Sequence, residues 1–255
     1  IPRLDDAVAL DSNFLGAWFA KADAHYNFAA LIGATLGFSD IGVTQQMAKG
    51  DSARQRLERA RNHLSPAQRH YLDWQDATRQ GDLGRSRRAL RELVAVAPDP
   101  GARGLEALLD LRLDLPTEAM QSLEGSSAPS YFKAEAYHIL KQHRAELVEA
   151  RRLRDANPGL YQGLAAELMA LAALGRTREI TARLDESLTF AEHPGWWTYG
   201  SVAAIAGLEL RAHGHTAAAS EAFQRSIAWY RTKAEDGLRS DTYGLARTLY
   251  WAGQW

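Results

Sequence analysis

Short turns recur along this chain at intervals of about 34 residues, and that recurrence limits the fold to a stack of similar helical units. The turns fall near Gly50, Gly81, Leu115, His143, Gly175, Gly214 and Gly253, in steps of 31, 34, 28, 32, 39 and 39 residues. Between them, apolar residues recur at i, i+3, i+4 and i+7, the period of an amphipathic helix. Ala165, Leu168, Met169 and Ala172 trace one such face on the run from Tyr161 to Leu174, and Ala219, Phe223, Ile227 and Tyr230 trace another after His215. Good helix formers dominate, and alternating runs bounded by turn residues, the mark of strands, are absent. Pro66, Pro98, Pro100, Pro116, Pro129, Pro158 and Pro194 sit where helices start or stop. One helix pair cannot bury both of its apolar faces, so successive pairs must stack. The expected fold is all-α: a right-handed α-solenoid of about seven antiparallel helix pairs, the first enlarged around residues 37–50.

Particular residues sharpen this reading. The segment from Gly200 to Arg231 has Gly207 where two helices would touch, Gly214 in the turn, Ala219 at a small position of the second helix and Phe223 at an aromatic one. The pair from Ala67 to Pro98 repeats the pattern in Gly81, Ala89-Leu90 and the closing proline, whereas Leu115 and His143 stand where a turn glycine is expected. In these features the chain resembles tetratricopeptide repeats over residues 14–255. The opening stretch Ala-Val-Ala-Leu-Asp-Ser-Asn-Phe, with Leu64-Ser65-Pro66-Ala67-Gln68-Arg69 and Gly81-Asp82, is similar to repeat arrays attached to bacterial signalling proteins. The resemblance implies a protein-interaction scaffold, the regulatory part of such a protein, with no catalytic residues and no cofactor. Residues 1–255 are expected to form one repeat domain cut from a longer chain, because Ala7–Asp11 reads as the tail of a second helix and Leu245–Trp255 as a first helix lacking its partner. A compact domain with frayed ends is the alternative.

Bulk composition narrows the function. A net charge of −1 and a pI near 6.8 provide no overall field to draw the chain to nucleic acid or an anionic membrane. The absence of cysteine removes disulfides, thiolate metal sites and a cysteine nucleophile, and fits a cytoplasmic location. No apolar run reaches the ~18 residues needed to span a bilayer, so no membrane insertion is expected. The Arg-rich stretches Arg85–Arg88 and Arg151–Arg154 are mixed with acids and read as solvated convex faces, not as nucleic-acid contacts.

Among chemistry-bearing residues, His213-Gly214-His215 reads as a solvated turn without nearby carboxylates. His138 and His143 are five apart, whereas ligands on one helical face are three or four apart. No metal site is expected from either pair. No nucleophile elbow, Walker loop, zincin helix or dinucleotide turn is present. Sixteen Trp and Tyr residues leave open an α/α-helical enzyme acting on carbohydrate, although Trp18, Trp74, Phe223 and Trp229 also suit core wedges.

In a tetratricopeptide solenoid the first helix of each pair lines a concave groove. The resemblance places Gln68, Tyr71, Gln75 and Arg79 there in one pair and Arg112 in the next. Lys133, Tyr137 and Lys141 follow, then Gln162 and Met169, then Arg211, and finally Tyr243, Arg247 and Tyr250. The set holds no Asp or Glu, and suits an acidic or carboxylate-ended peptide held by charge-assisted bonds with rings as anchors. An ordinary solvated face, or a pocket for a small ligand, remains an alternative use of the same surface.

Overall fold

The structure is a computed structural model that describes residues 2–36, 41–125, 130–190, 197–234 and 239–254. The described residues form fourteen α-helices and one 3-10 turn, without a strand among them. They are α1 (Pro2–Leu10), α2 (Leu15–Leu36), α3 (Ile41–Arg59), α4 (Pro66–Arg79), α5 (Leu83–Val96), α6 (Pro100–Arg112) and α7 (Pro116–Ser122). They continue with α8 (Tyr131–Ile139), α9 (His143–Ala156), α10 (Tyr161–Ala173), α11 (Thr177–Ser187), α12 (Tyr199–Ala212), α13 (Thr216–Ala234) and α14 (Arg239–Ala252). The chain divides into two compact units, residues 1–102 and 103–255.

One turn chemistry is repeated six times. Gly81, Gly175, Gly214 and Gly253 have positive φ between 69° and 82°, and Asp114 and Lys141 adopt the same left-handed conformation at φ 57°. At each site the next N–H donates to a carbonyl five residues back: Asp82 to Ala77, Leu115 to Asp110, Gln142 to Tyr137, Arg176 to Leu171, His215 to Leu210 and Gln254 to Leu249. This is the Schellman closure, which satisfies carbonyls left free at a helix end. Six of the seven expected turns are therefore real, but at two of them Asp114 and Lys141 take the glycine position, one and two residues earlier than Leu115 and His143. Gly50 is no turn at all. It lies inside α3, where an added Cβ would run into the Tyr26 ring, so its lack of a side chain serves close packing of α2 on α3.

Within the first unit, α2 packs on α3 and α4 on α5, around Phe19, Leu57, Leu64 and Leu72. A capping box starts α4: the Ser65 hydroxyl accepts from the Gln68 N–H and the Gln68 side chain accepts from the Ser65 N–H. In the second unit, α8, α10, α12 and α14 neighbour one another in that order, while α9, α11 and α13 pack beside them. That arrangement is the stacking of antiparallel helix pairs expected of an α-solenoid. Its core gathers Leu164, Leu168, Leu171, Val202, Leu210 and Phe223. Gly207 is the close-approach position read from the sequence: a Cβ there would lie 2.7 Å from the Phe223 ring. Pro66, Pro100 and Pro116 each begin a helix, as expected, whereas Pro129 and Pro194 lie outside the described residues.

Candidate functional site

The first-helix residues expected to line a groove meet different fates in the two units. In the first unit they bind inward. Gln68 is spent on the α4 cap. The Tyr71 hydroxyl donates to Asp23 Oδ2 at 2.8 Å, and the buried Gln75 amide donates to Asp23 Oδ1. Arg79 pairs with Asp51 and lies 4.7 Å above the Tyr26 ring, whose hydroxyl donates to the same carboxylate at 2.9 Å. The expected freedom from acids therefore holds for the chosen positions and not for their neighbours, since Asp23 and Asp51 approach from α2 and α3. Burial raises Asp23 above the usual carboxylate range, against the two hydrogen bonds that favour its anion.

In the second unit Arg112 ends α6 exposed, Lys133 and Tyr137 are half-buried on α8, and Lys141 occupies the left-handed turn position. Gln162 and Met169 are half-buried on α10. The remaining four residues converge on α12 and α14. The Arg211 guanidinium lies 5.3 Å over the Phe223 ring and donates to the Trp251 carbonyl. Arg247 stacks 5.6 Å from Tyr243 and 4.7 Å from Trp251, and its buried Nε finds no hydrogen-bond partner among the described residues. Tyr243 and Tyr250 flank it at 67% and 65% exposure. A cleft of about 140 Å³, lined by Arg211, Phe223, Gln224 and Gln254 among others, opens beside this patch. Such a volume admits a side chain or a terminal carboxylate and falls short of the several hundred Å³ of a drug-sized ligand site.

A second constellation joins three helices at the turn edge of the same unit. His138 closes α8 and His143 opens α9, so the five-residue spacing that disfavours one helical face spans a turn instead. Their rings lie 5.4 Å apart, and each Nδ1 is 2.9 Å from an oxygen of Glu146, which is 1% exposed. His213 packs edge-on against His143 at 5.7 Å. Its turn is not free of carboxylates, contrary to expectation, because Glu209 Oε2 stands 3.9 Å from His213 Nε2 and 3.5 Å from His138 Nε2. His138 is held above the usual imidazole range by its hydrogen bond with Glu146, which outweighs its partial burial. Burial also raises Glu135, one turn earlier on α8. The only signal of this cluster in the sequence was a pair of histidines bracketing a helix-pair turn.

Other buried acids are held by arginines. Glu167, fully buried on α10, receives Arg151 at 3.0 Å, Arg154, and Arg183 at 3.7 Å. Glu149 accepts from the Ser130 N–H and from Arg152, each at 2.9 Å. These contacts give the buried carboxylates charged hydrogen-bond donors, and they absorb most of the arginine stretch at 151–154.

No protein-family model and no curated protein matches the chain. Among solved structures it is similar to the crystal structure of the P58(IPK) TPR domain, at 16% identity and a TM-score of 0.38, over 100% of this chain and 83% of that one.

Proposed function

We propose that the chain is a non-catalytic protein-interaction scaffold that takes an acidic or carboxylate-ended peptide on the α12–α14 face of its second unit. The observation that carries this reading is Arg247: a guanidinium stacked between Tyr243 and Trp251, without a partner for its Nε among the described residues, beside two exposed tyrosines. Exposed tyrosine and arginine together are the side chains most enriched at binding hot spots, and an arginine held by rings keeps its donors pre-aimed for a carboxylate. Lys133 on α8, Lys141 in the turn after it and Arg211 on α12 add further basic groups in the same unit.

Nucleic acid is not part of this proposal, because arginines that could track phosphates face acids: Arg85 stands 3.4 Å from Asp76, and Arg151 and Arg154 bind Glu167. A glycoside-cleaving site is not favoured either, since the buried Glu146, Glu149 and Glu167 have their oxygens engaged by imidazole, guanidinium or backbone donors, whereas such chemistry needs two carboxyls facing a substrate. No helix among the described residues is long and apolar enough to cross a membrane. A regulatory role within a bacterial signalling protein in the cytoplasm remains part of the proposal, resting on the sequence resemblance.

The test is capture of a partner from native extract by the parent chain beside a Lys133, Lys141, Arg211, Arg247→Glu variant of unchanged circular dichroism. Capture by the parent and loss by the variant is the expected outcome. Equal capture by both would move the site elsewhere.

A further inference from the structure

The histidine–glutamate cluster at the turn edge of the second unit is a built arrangement that the scaffold reading leaves unused. We propose that His138, His143 and Glu146 bind one divalent late-transition-metal ion, zinc by donor type, with His213 positioned to supply or exchange a fourth ligand. One donor atom from each of the three residues lies within 4.8 Å of the other two. Two imidazoles and a carboxylate are a donor set that selects zinc, nickel, cobalt or copper over magnesium and calcium, which favour oxygen alone.

The surroundings hold the three donors together. Glu146 is 1% exposed, and its two oxygens each contact a different imidazole, so one buried carboxylate keeps both rings beside the space that an ion would occupy. Zinc–nitrogen bonds of about 2.0–2.1 Å keep two ligating nitrogens within about 4.2 Å of each other, so binding draws together donors that now lie within 4.8 Å. With His138 ligating through Nδ1, its Nε2–H faces Glu209 Oε2 at 3.5 Å. That is the carboxylate–histidine–metal relay that fixes ring orientation and tautomer in metal sites. The site joins α8, α9 and α12 through the buried Glu146 and through His138, His143, Glu209 and His213 at 18–32% exposure. An ion bound only in the folded state would therefore stabilise the α8–α9 pair and, with His213 as a ligand, tie it to the end of α12.

The test titrates the chelator-stripped chain with Zn²⁺ by isothermal calorimetry, alongside His143→Gln, Glu209→Gln and, as a control in the first unit, His70→Ala. One equivalent is expected to bind the parent and the control alike. His143→Gln should weaken binding by at least 100-fold, and Glu209→Gln, which removes only the positioning carboxylate, by about 10- to 100-fold. Because His143→Gln could perturb the turn, ¹⁵N imidazole spectra of the unaltered chain provide a second reading: His138 and His143 signals should move with the first equivalent. Absence of stoichiometric binding, equal affinity in His143→Gln, or movement of other histidines first would overturn the proposal.

Discussion

At residue scale, the left-handed turn position shows where local preference and sequence disagree. Asp114 and Lys141 pay steric strain that the glycines at 81, 175, 214 and 253 avoid. Lys141→Gly is expected to stabilise the second unit by about 0.5–1 kcal/mol, the strain relief being partly offset by the greater freedom of glycine in the unfolded chain. Gly175→Ala is expected to destabilise it by about 1 kcal/mol, and denaturant midpoints read both. Asp23 gives a pH-dependent case. Its folded titration is raised by burial, so the stability linked to its protonation is fully present at low pH and is lost as pH rises through the folded value. Asp23→Asn should exceed the parent in stability at neutral pH, and the gap should close as the solution is acidified. The Asn oxygen keeps the Tyr71 bond, and its NH2 reaches Gln75 Oε1, a buried acceptor that has no donor, once the Gln75 amide turns over and gives up its present donation. A variant less stable than the parent at neutral pH would contradict this account.

At element scale, the buried glutamates decide which helices hold together. Glu167 on α10 gathers arginines from α9 and α11, and Glu167→Gln should cost about 3 kcal/mol, the range for breaking a buried pair while its partner charges stay. Arg151→Ala should cost less, because two guanidiniums remain. Thermal or denaturant unfolding of the two variants distinguishes them. The helices themselves were legible in the sequence, since apolar period, prolines and turn glycines are local signals. Gly207 against Phe223 was legible for the same reason: a small residue and a ring recurring at fixed offsets. What joins one helix pair to the next was not. Arg151–Arg154 looked like a solvated basic face because its acid lies on the following helix. The approach of His138 to His143 was missed because their five-residue spacing was judged on one helix when a turn separates them. Gly50 looked like a turn because a glycine that admits a ring from a neighbouring helix reads the same, in one dimension, as a glycine that reverses the chain.

At the scale of the molecule, the candidate groove positions fare differently in each of the two compact units. In residues 1–102 the polar first-helix side chains satisfy Asp23 and Asp51 and so contribute to the stability of the unit itself. In residues 103–255 the corresponding positions leave tyrosines exposed and a half-buried guanidinium held over two rings. The spacing of the repeat placed these residues on the first helices, but it could not say which acids from neighbouring helices would reach them. That difference depends on long-range packing, and it narrows the proposed peptide site from fourteen positions to the four on α12 and α14. The central claim is that Arg247, set between its rings, receives a carboxylate. The most direct measurement is the affinity of the captured partner's binding segment for the parent chain and for Arg247→Ala, each at low and high salt. The account expects at least a tenfold loss in Arg247→Ala, equivalent to about 1.4 kcal/mol, with parent binding weakening as salt rises. Equal affinity for both chains, insensitive to salt, would contradict it.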